Sequence, residues 1–234
     1  DNTVATLTLR NGGLLSGTGT LSAATYALQG GIVNGSLGAG TATVTAGVTT
    51  LNGLLGAAAV NINSGTLVLG GVNRLNGAAV VTVGGGVLDS GANATTVSVL
   101  QLNSGLVKGS GLLTAGTYNL VTGEVAGALG AGEANVTGAV SLTGTTAATT
   151  LNISTGGVLT LGSAERMGVS TVVDINAGEL ALGAFDNTVA TLTLRNGGLL
   201  SGTGTLSAAT YALQGGVVNG SLGAGTATVT AGVT

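Results

Sequence analysis

Several residue types that usually stabilise a folded domain are missing from this sequence. The 234 residues contain no cysteine, proline, histidine or tryptophan, and aromatic residues make up only 2% of the chain. Without cysteine, neither disulfides nor thiolate metal sites can form. Large aromatic rings usually supply much of the buried area of a core. We therefore expect a core of small side chains arranged in thin layers.

Charged residues are almost as scarce, at 6% of the chain with a net charge of −3. The five basic residues are scattered along the sequence: Arg10, Arg74, Lys108, Arg166 and Arg195. Nucleic-acid binding is not expected, because it requires a basic patch that neutralises phosphates. No uninterrupted apolar run approaches the roughly 18 residues of a transmembrane helix, so the chain is not expected to span a membrane.

Glycine and small apolar residues dominate what remains. There are 46 glycines, and 44% of the residues are hydrophobic. A disordered chain shows low hydrophobicity and high net charge, which is the reverse of this composition. Collagen is excluded, because it requires glycine at every third position together with abundant proline. The chain is therefore expected to fold.

A six-residue motif, φ-x-φ-x-x-G with φ an apolar residue, recurs thirteen times at intervals of about 18 residues. The first copy is LTLRNG, which begins at Leu7, and only the copy that ends at Ala139 lacks its glycine. The φ-x-φ alternation predicts a strand with one buried face, and x-x-G predicts a turn. A second short apolar stretch follows, as in GTLVLGG. Three short strands for each unit predict one coil of a triangular solenoid.

The period and composition favour an all-β parallel β-helix of roughly 12–13 coils. Helical repeats are disfavoured because glycine, threonine, valine and asparagine predominate. Coils would stack at about 4.8 Å, which gives a rod on the order of 60 Å long. Equivalent residues of successive coils would then form columns. One inward column is predicted to contain Leu9, Leu28, Val44 and Ile62.

The 18-residue units are themselves grouped into a longer sequence repeat. Residues 1–49 and 186–234 are identical except that Ile32 in the first copy is Val217 in the second. This predicts one continuous solenoid over residues 1–234, with a repeat of 185 residues (1–185) and a partial second copy (186–234). Each 185-residue repeat divides into two halves of about 92 residues. The chain begins and ends within a repeat, so we expect the fibre to continue beyond both ends, through a longer chain or head-to-tail stacking.

Two residue types leave alternatives open. Asn63, at a corner, could bond to the equivalent turn of a neighbouring coil, or could be only a turn residue with a left-handed backbone. Tyr26, Tyr118 and Tyr211 fall at the same point of the half-repeat. They could be exposed contact points along a fibre, although packing at a corner of the coil is the favoured interpretation.

The strings GGLLSGTGTL, NSGTLVLGG and NAGELALG resemble the strand repeats of bacterial autotransporter passengers and of filamentous-haemagglutinin-like, two-partner-secreted adhesins. The resemblance covers the whole chain at the level of the repeat. It implies a right-handed parallel β-helix, secretion across an outer membrane, and a role in adhesion, aggregation or biofilm at the cell surface. The expected partners are further copies of the chain, other cell surfaces or matrix.

Enzymatic and ice-binding solenoids are the alternatives. A polysaccharide-processing site would need clustered carboxylates, and the nearest sets in the sequence are Asp174 with Glu179 and Glu165 beside Arg166. These are interpreted as solvent-exposed residues, and no catalytic, metal-binding or cofactor-binding residue is predicted. An ice-binding face needs threonine at one position of every coil, which the sequence does not provide. The function expected is therefore structural or adhesive.

Overall fold

The computed structural model describes residues 1–230 and divides the chain into two compact units, Asp1–Gly116 and Thr117–Thr234. No helix is present among those described residues. Within each unit, strands pair in parallel with strands about 18 residues further along the chain, which is the arrangement of a β-solenoid. The all-β parallel β-helix predicted from the sequence is confirmed. The continuous solenoid over residues 1–234 stays a prediction.

The first unit contains eleven strands and the start of a twelfth. They are β1 (Asn2–Arg10), β2 (Leu14–Leu15), β3 (Thr20–Gln29), β4 (Gly31–Val33), β5 (Ser36–Leu37), β6 (Thr41–Val44), β7 (Val48–Leu51), β8 (Ala59–Ile62), β9 (Thr66–Leu69), β10 (Val80–Asp89), β11 (Thr95–Lys108) and β12 (Leu112–Leu120).

The second unit contains the end of β12 and thirteen further strands. They are β13 (Gly123–Val125), β14 (Ala128–Leu129), β15 (Glu133–Val136), β16 (Ala139–Leu142), β17 (Thr145–Thr146), β18 (Thr150–Ile153), β19 (Val158–Leu161), β20 (Val172–Asn176), β21 (Glu179–Ala181), β22 (Asn187–Ser201), β23 (Thr205–Val218), β24 (Ser221–Leu222) and β25 (Thr226–Val229).

The φ-x-φ motifs form one face of each coil, and their apolar residues point inward. In the first unit Leu9 pairs with Leu28, Leu28 with Val44, and Val44 with Ile62. All four side chains are buried, so the predicted column is confirmed. The column continues from Ile62 to Val83 in β10. Alternation along each strand places every second residue in this core.

The second unit has the same construction around its own column. Val136 pairs with Ile153, Ile153 with Ile175, and Ile175 with Leu194, and all four are buried. The strands that follow each glycine turn form a second face. There β16 pairs with β19, and β19 pairs with β21.

In several coils, the strand of the third face is shorter than the strands of the other two faces. It is a two-residue strand at β5, β14, β17 and β24. Between Leu37, Leu55 and Leu75 it shrinks to single bridges, whereas residues 187–189 pair with residues 206–208 along the same face. The three-sided coil is therefore present, and its third side varies from single bridges between buried leucines to a ladder of three residue pairs.

The motif glycines form the corners that the sequence predicts, and Gly65 shows why glycine is needed there. Its φ is +73°, and a Cβ built on it would lie 2.6 Å from the carbonyl oxygen of Gly47 in the preceding coil. A side chain would meet backbone that cannot move aside, in addition to the strain of a left-handed conformation.

Replacement of Gly65 by alanine is expected to lower the free energy of unfolding by about 2–4 kcal/mol, from backbone strain and overpacking together. Gly77→Ala is the matched control, because a Cβ there meets nothing within 4 Å and Gly77 has no positive φ. The control should stay within about 0.5 kcal/mol of the unsubstituted protein. Urea unfolding followed by circular dichroism measures both, and equal stability of the two variants would contradict the expected corner geometry.

Candidate functional site

Asp174 is one of the carboxylates that the sequence analysis considers for an enzymatic site. It is half-buried and paired with an arginine of the next coil. Its Oδ1 accepts a hydrogen bond from Nε of Arg195 at 2.9 Å, and its Oδ2 accepts a second from Nη2 at 2.5 Å. The hydrogen bonds and the charge of Asp174 raise the pKa of Arg195 above its usual value. The predicted solvated carboxylate is therefore an ion-paired one that joins two coils.

Glu179 is engaged in the same way. Its Oε1 accepts a hydrogen bond from the Ser201 hydroxyl at 2.5 Å, and Ser201 belongs to the next coil. The interpretation of Asp174 and Glu179 as merely solvent-exposed is thus too simple. Both side chains lie on the outward side of the strands, yet each of them binds the following coil.

Glu165 and Arg166 do not form a pair with each other in the structure. The Glu165 carboxylate accepts hydrogen bonds from the backbone N–H and the hydroxyl of Thr188. The Arg166 guanidinium donates to the carbonyl oxygens of Ala164 and Thr143. All four candidate residues from the sequence analysis therefore bond to neighbouring turns and coils, and they do not form a catalytic cluster with one another.

The surface contains grooves, but few reactive or charged side chains line them. One groove of about 670 Å³ lies on the corner of the first three coils, where Leu14, Ile32 and Val48 are exposed. No titratable side chain lines this groove. Within residues 1–230, no group of three or more histidine, cysteine, aspartate or glutamate residues is placed to hold a metal ion.

The three tyrosines are core residues. Tyr26, Tyr118 and Tyr211 are almost fully buried. The Tyr26 hydroxyl accepts a hydrogen bond from the Ala23 N–H at 2.9 Å and lies 3.2 Å from the carbonyl oxygens of Leu21 and Ala39. Packing at a corner is therefore confirmed, and the alternative of exposed contact points is wrong.

The sequence contains a signal for this tyrosine site that the motif analysis missed. A Gly-Ala-Gly string begins 12 residues after each tyrosine, at residues 38–40, 130–132 and 223–225. The tyrosine hydroxyl bonds to the backbone of that string in the next coil, as at Ala39 for Tyr26 and Gly223 for Tyr211. Glycine allows the ring to approach, because a Cβ on Gly40 would lie 3.0 Å from the Tyr26 ring.

Asparagine ladders form, but not at the position named from the sequence. Asn63 does not adopt a positive φ, so the left-handed alternative is wrong there, and its backbone N–H donates to Val44. Side-chain bonds between asparagines of adjacent coils occur instead at Asn52 to Asn34, Asn152 to Asn135, and Asn196 to Asn176, with distances of 2.8–2.9 Å.

The outward threonines form short rows. Thr6, Thr25 and Thr41 are register partners, and the hydroxyls of Thr6 and Thr25 lie 3.0 Å apart. The row is then interrupted by Ala59 and Val80. The first unit therefore lacks the unbroken threonine array at this position that an ice-binding face requires.

The two copies of the duplicated segment have different environments, although their sequences differ only at Ile32 and Val217. In the second copy, β22 pairs with β20 on one side and with β23 on the other. In the first copy, β1 pairs with β3. Val189 is consequently 2% exposed, whereas its counterpart Val4 is 40% exposed.

Comparison of the chain with protein-family models, with curated proteins and with solved structures finds no match. A search of the described residues also finds no helix long and apolar enough to cross a membrane. The class defined by the structure is therefore that of parallel β-solenoids built from a tandem repeat, and the function must be argued from the arrangement of the coils.

Proposed function

We propose that this chain is a structural or adhesive segment of an extracellular fibre: a repetitive β-solenoid shaft of a bacterial cell-surface adhesin or filament. The observation that carries the proposal is the exact stacking of equivalent residues in successive coils. The resemblance of the repeats to autotransporter passengers and two-partner-secreted adhesins supports the same assignment. Further copies of the repeat, other cell surfaces and matrix are the proposed partners.

The coils provide the mechanical properties that such a shaft needs. Each φ-x-φ strand forms parallel hydrogen bonds with its neighbours, and the inward residues form columns such as Leu28, Val44 and Ile62. Because each repeat is stabilised mainly by its immediate neighbours, length can be added without a new core. Continuous backbone pairing also leaves few sites where a protease could engage an extended segment.

Side-chain bonds between coils reinforce the backbone pairing on the outer surface. The Asn52 amide donates to Asn34, and the guanidinium of Arg195 binds Asp174 across one coil spacing. Most of these outer groups are uncharged, in keeping with a chain in which only 6% of residues carry charge. A surface of amides and hydroxyls is better suited to broad, weak contacts along a fibre than to tight binding of one ligand in a pocket.

Immunogold electron microscopy of the source cells tests the proposal. Antibody raised against the folded chain should label filaments at the cell surface, at regular intervals where the repeat recurs. Antibody against an unrelated cytoplasmic protein of the same cells is the control. Label confined to the cell interior, or surface label without filaments, would contradict the proposal.

A further inference from the structure

We propose that the first unit binds one buried water molecule between Arg74 and Thr95, at a position that the carboxamide of Asn187 fills at the equivalent place in the second unit. The site lies at the junction of two successive coils, within residues 73–97. It is internal to one unit, so the proposal does not depend on the proposed function.

The two half-repeats contain the same junction, at residues 73–97 and at residues 165–189. Asn73 and Glu165 both have a φ of +51°. Each of them donates its backbone N–H to a carbonyl oxygen of the next coil, at 2.9 Å and 3.0 Å. In both junctions the following residue accepts a hydrogen bond from the preceding coil at 2.8 Å. Because the backbone is shared, side chains at equivalent positions can be compared directly.

In the second unit, the side chain of Asn187 satisfies the backbone of this junction. Its Oδ1 accepts a hydrogen bond from the Arg166 N–H at 2.8 Å, and its Nδ2 donates to the Phe185 carbonyl at 3.4 Å. Asn187 is 1% exposed, so both bonds are made away from solvent. One carboxamide therefore supplies the backbone there with both an acceptor and a donor.

In the first unit, the equivalent position is Thr95, which is also 1% exposed. A threonine hydroxyl is one bond closer to the backbone than the end of a carboxamide is, and Thr95 Oγ1 has no hydrogen-bond partner among residues 1–230. The Arg74 N–H, the counterpart of the Arg166 N–H, also has no partner in that part of the chain. A polar group left unpaired in a protein interior is unfavourable, so both groups require a further partner.

The groups around Thr95 select a small neutral molecule that can both donate and accept. The Arg74 N–H would repel a cation, and the carbonyl of Asn93, the counterpart of the Phe185 carbonyl, would repel an anion. A water molecule can accept from Arg74, donate to Asn93 and bond to the Thr95 hydroxyl. These are the three hydrogen bonds that a buried water typically forms. Water therefore takes the role that the carboxamide has in the second unit.

A groove of about 520 Å³ at the same junction gives water a route to this position. Asn73, Leu75 and Thr96 are among the residues that line it. Thr96 is exposed and follows the buried Thr95 directly in the chain. Exchange of the bound water with solvent therefore requires only a local opening of the junction, and not the unfolding of the whole unit.

Thr95→Asn tests the proposal, because it gives the first unit the side chain that fills this position in the second. Oxygen-17 relaxation dispersion counts long-lived internal water molecules and is insensitive to exchange of hydroxyl protons. The Thr95→Asn variant is expected to hold about one such molecule fewer than the unsubstituted protein. Thr82→Asn is the matched control, since Thr82 lies on the outward side of β10 between Asn61 and Gln101. It should leave the count unchanged.

Asn187→Thr is the reverse experiment, and it should add about one long-lived water molecule beside the Arg166 N–H. A folded Thr95→Asn variant with an unchanged water count, or an equal loss in the Thr82→Asn control, would overturn the proposal. If Thr95→Asn does not fold, Asn187→Thr decides: a gain of water supports the proposal, and an unchanged count overturns it. An NOE between water and the Arg74 N–H, present in the unsubstituted protein and lost in Thr95→Asn, would place the molecule at this junction.

Discussion

Substitution of Ile62 by aspartate is expected to lower the free energy of unfolding by more than about 4 kcal/mol, a loss reserved for charges or large cavities in a core. Ile62 is fully buried and lies between Val44 and Val83 in the inward column. No cation or hydrogen-bond donor in this column could satisfy a carboxylate, because the neighbours above and below are valines. Urea unfolding followed by circular dichroism measures the loss.

Asn61→Asp is the control for that experiment. Asn61 is adjacent in the same strand, but it is half-buried on the outward side between Thr43 and Thr82. The same charge there should change the stability by no more than about 0.5 kcal/mol. Similar unfolding curves for the two variants would mean that the inward and outward rows are wrongly assigned.

Tyr26→Ala is expected to lower the free energy of unfolding by about 3–5 kcal/mol, the usual cost of removing a buried aromatic ring. The ring packs beside Gly40 of the next coil, and glycine has no side chain that could move into the space left by the ring. The substitution also removes the hydroxyl that accepts a hydrogen bond from the Ala23 N–H and donates to a nearby carbonyl oxygen. Urea unfolding is again the measurement.

Tyr26→Phe separates the ring from the hydroxyl. It keeps the packing but leaves the buried Ala23 N–H without an acceptor, so a loss of about 1–3 kcal/mol is expected. Tyr211→Phe should behave in the same way, since Tyr211 accepts from the Ala208 N–H at 2.8 Å. If the phenylalanine variants were as stable as the unsubstituted protein, the hydroxyl would have no structural role.

The sequence was sufficient to predict the features that depend on a local pattern. Alternation in LTLRNG and its repeats predicts both the strand and its inward face, and the motif period predicts which residues stack. The column of Leu9, Leu28, Val44 and Ile62 follows from these two facts alone. The corner at Gly65 follows from the ability of glycine to adopt a positive φ without steric cost.

Features that depend on the alignment of one coil on the next could not be predicted in the same way. The coils differ in length, so the pairing of Asp174 with Arg195, 21 residues apart, requires the register of β20 on β22. The same holds for Thr188 and Glu165, which are 23 residues apart. For the tyrosines, the choice between burial and exposure depended on a Gly-Ala-Gly string 12 residues away.

The single difference between the two copies of the duplicated segment also has an evolutionary meaning. Ile32 and Val217 are 43% and 49% exposed, so the one position that has changed is an outward one. None of the buried residues of the segment has changed. Drift between duplicated copies should therefore accumulate first on the outer rows, and the order in which further copies diverge would map those rows without a structure.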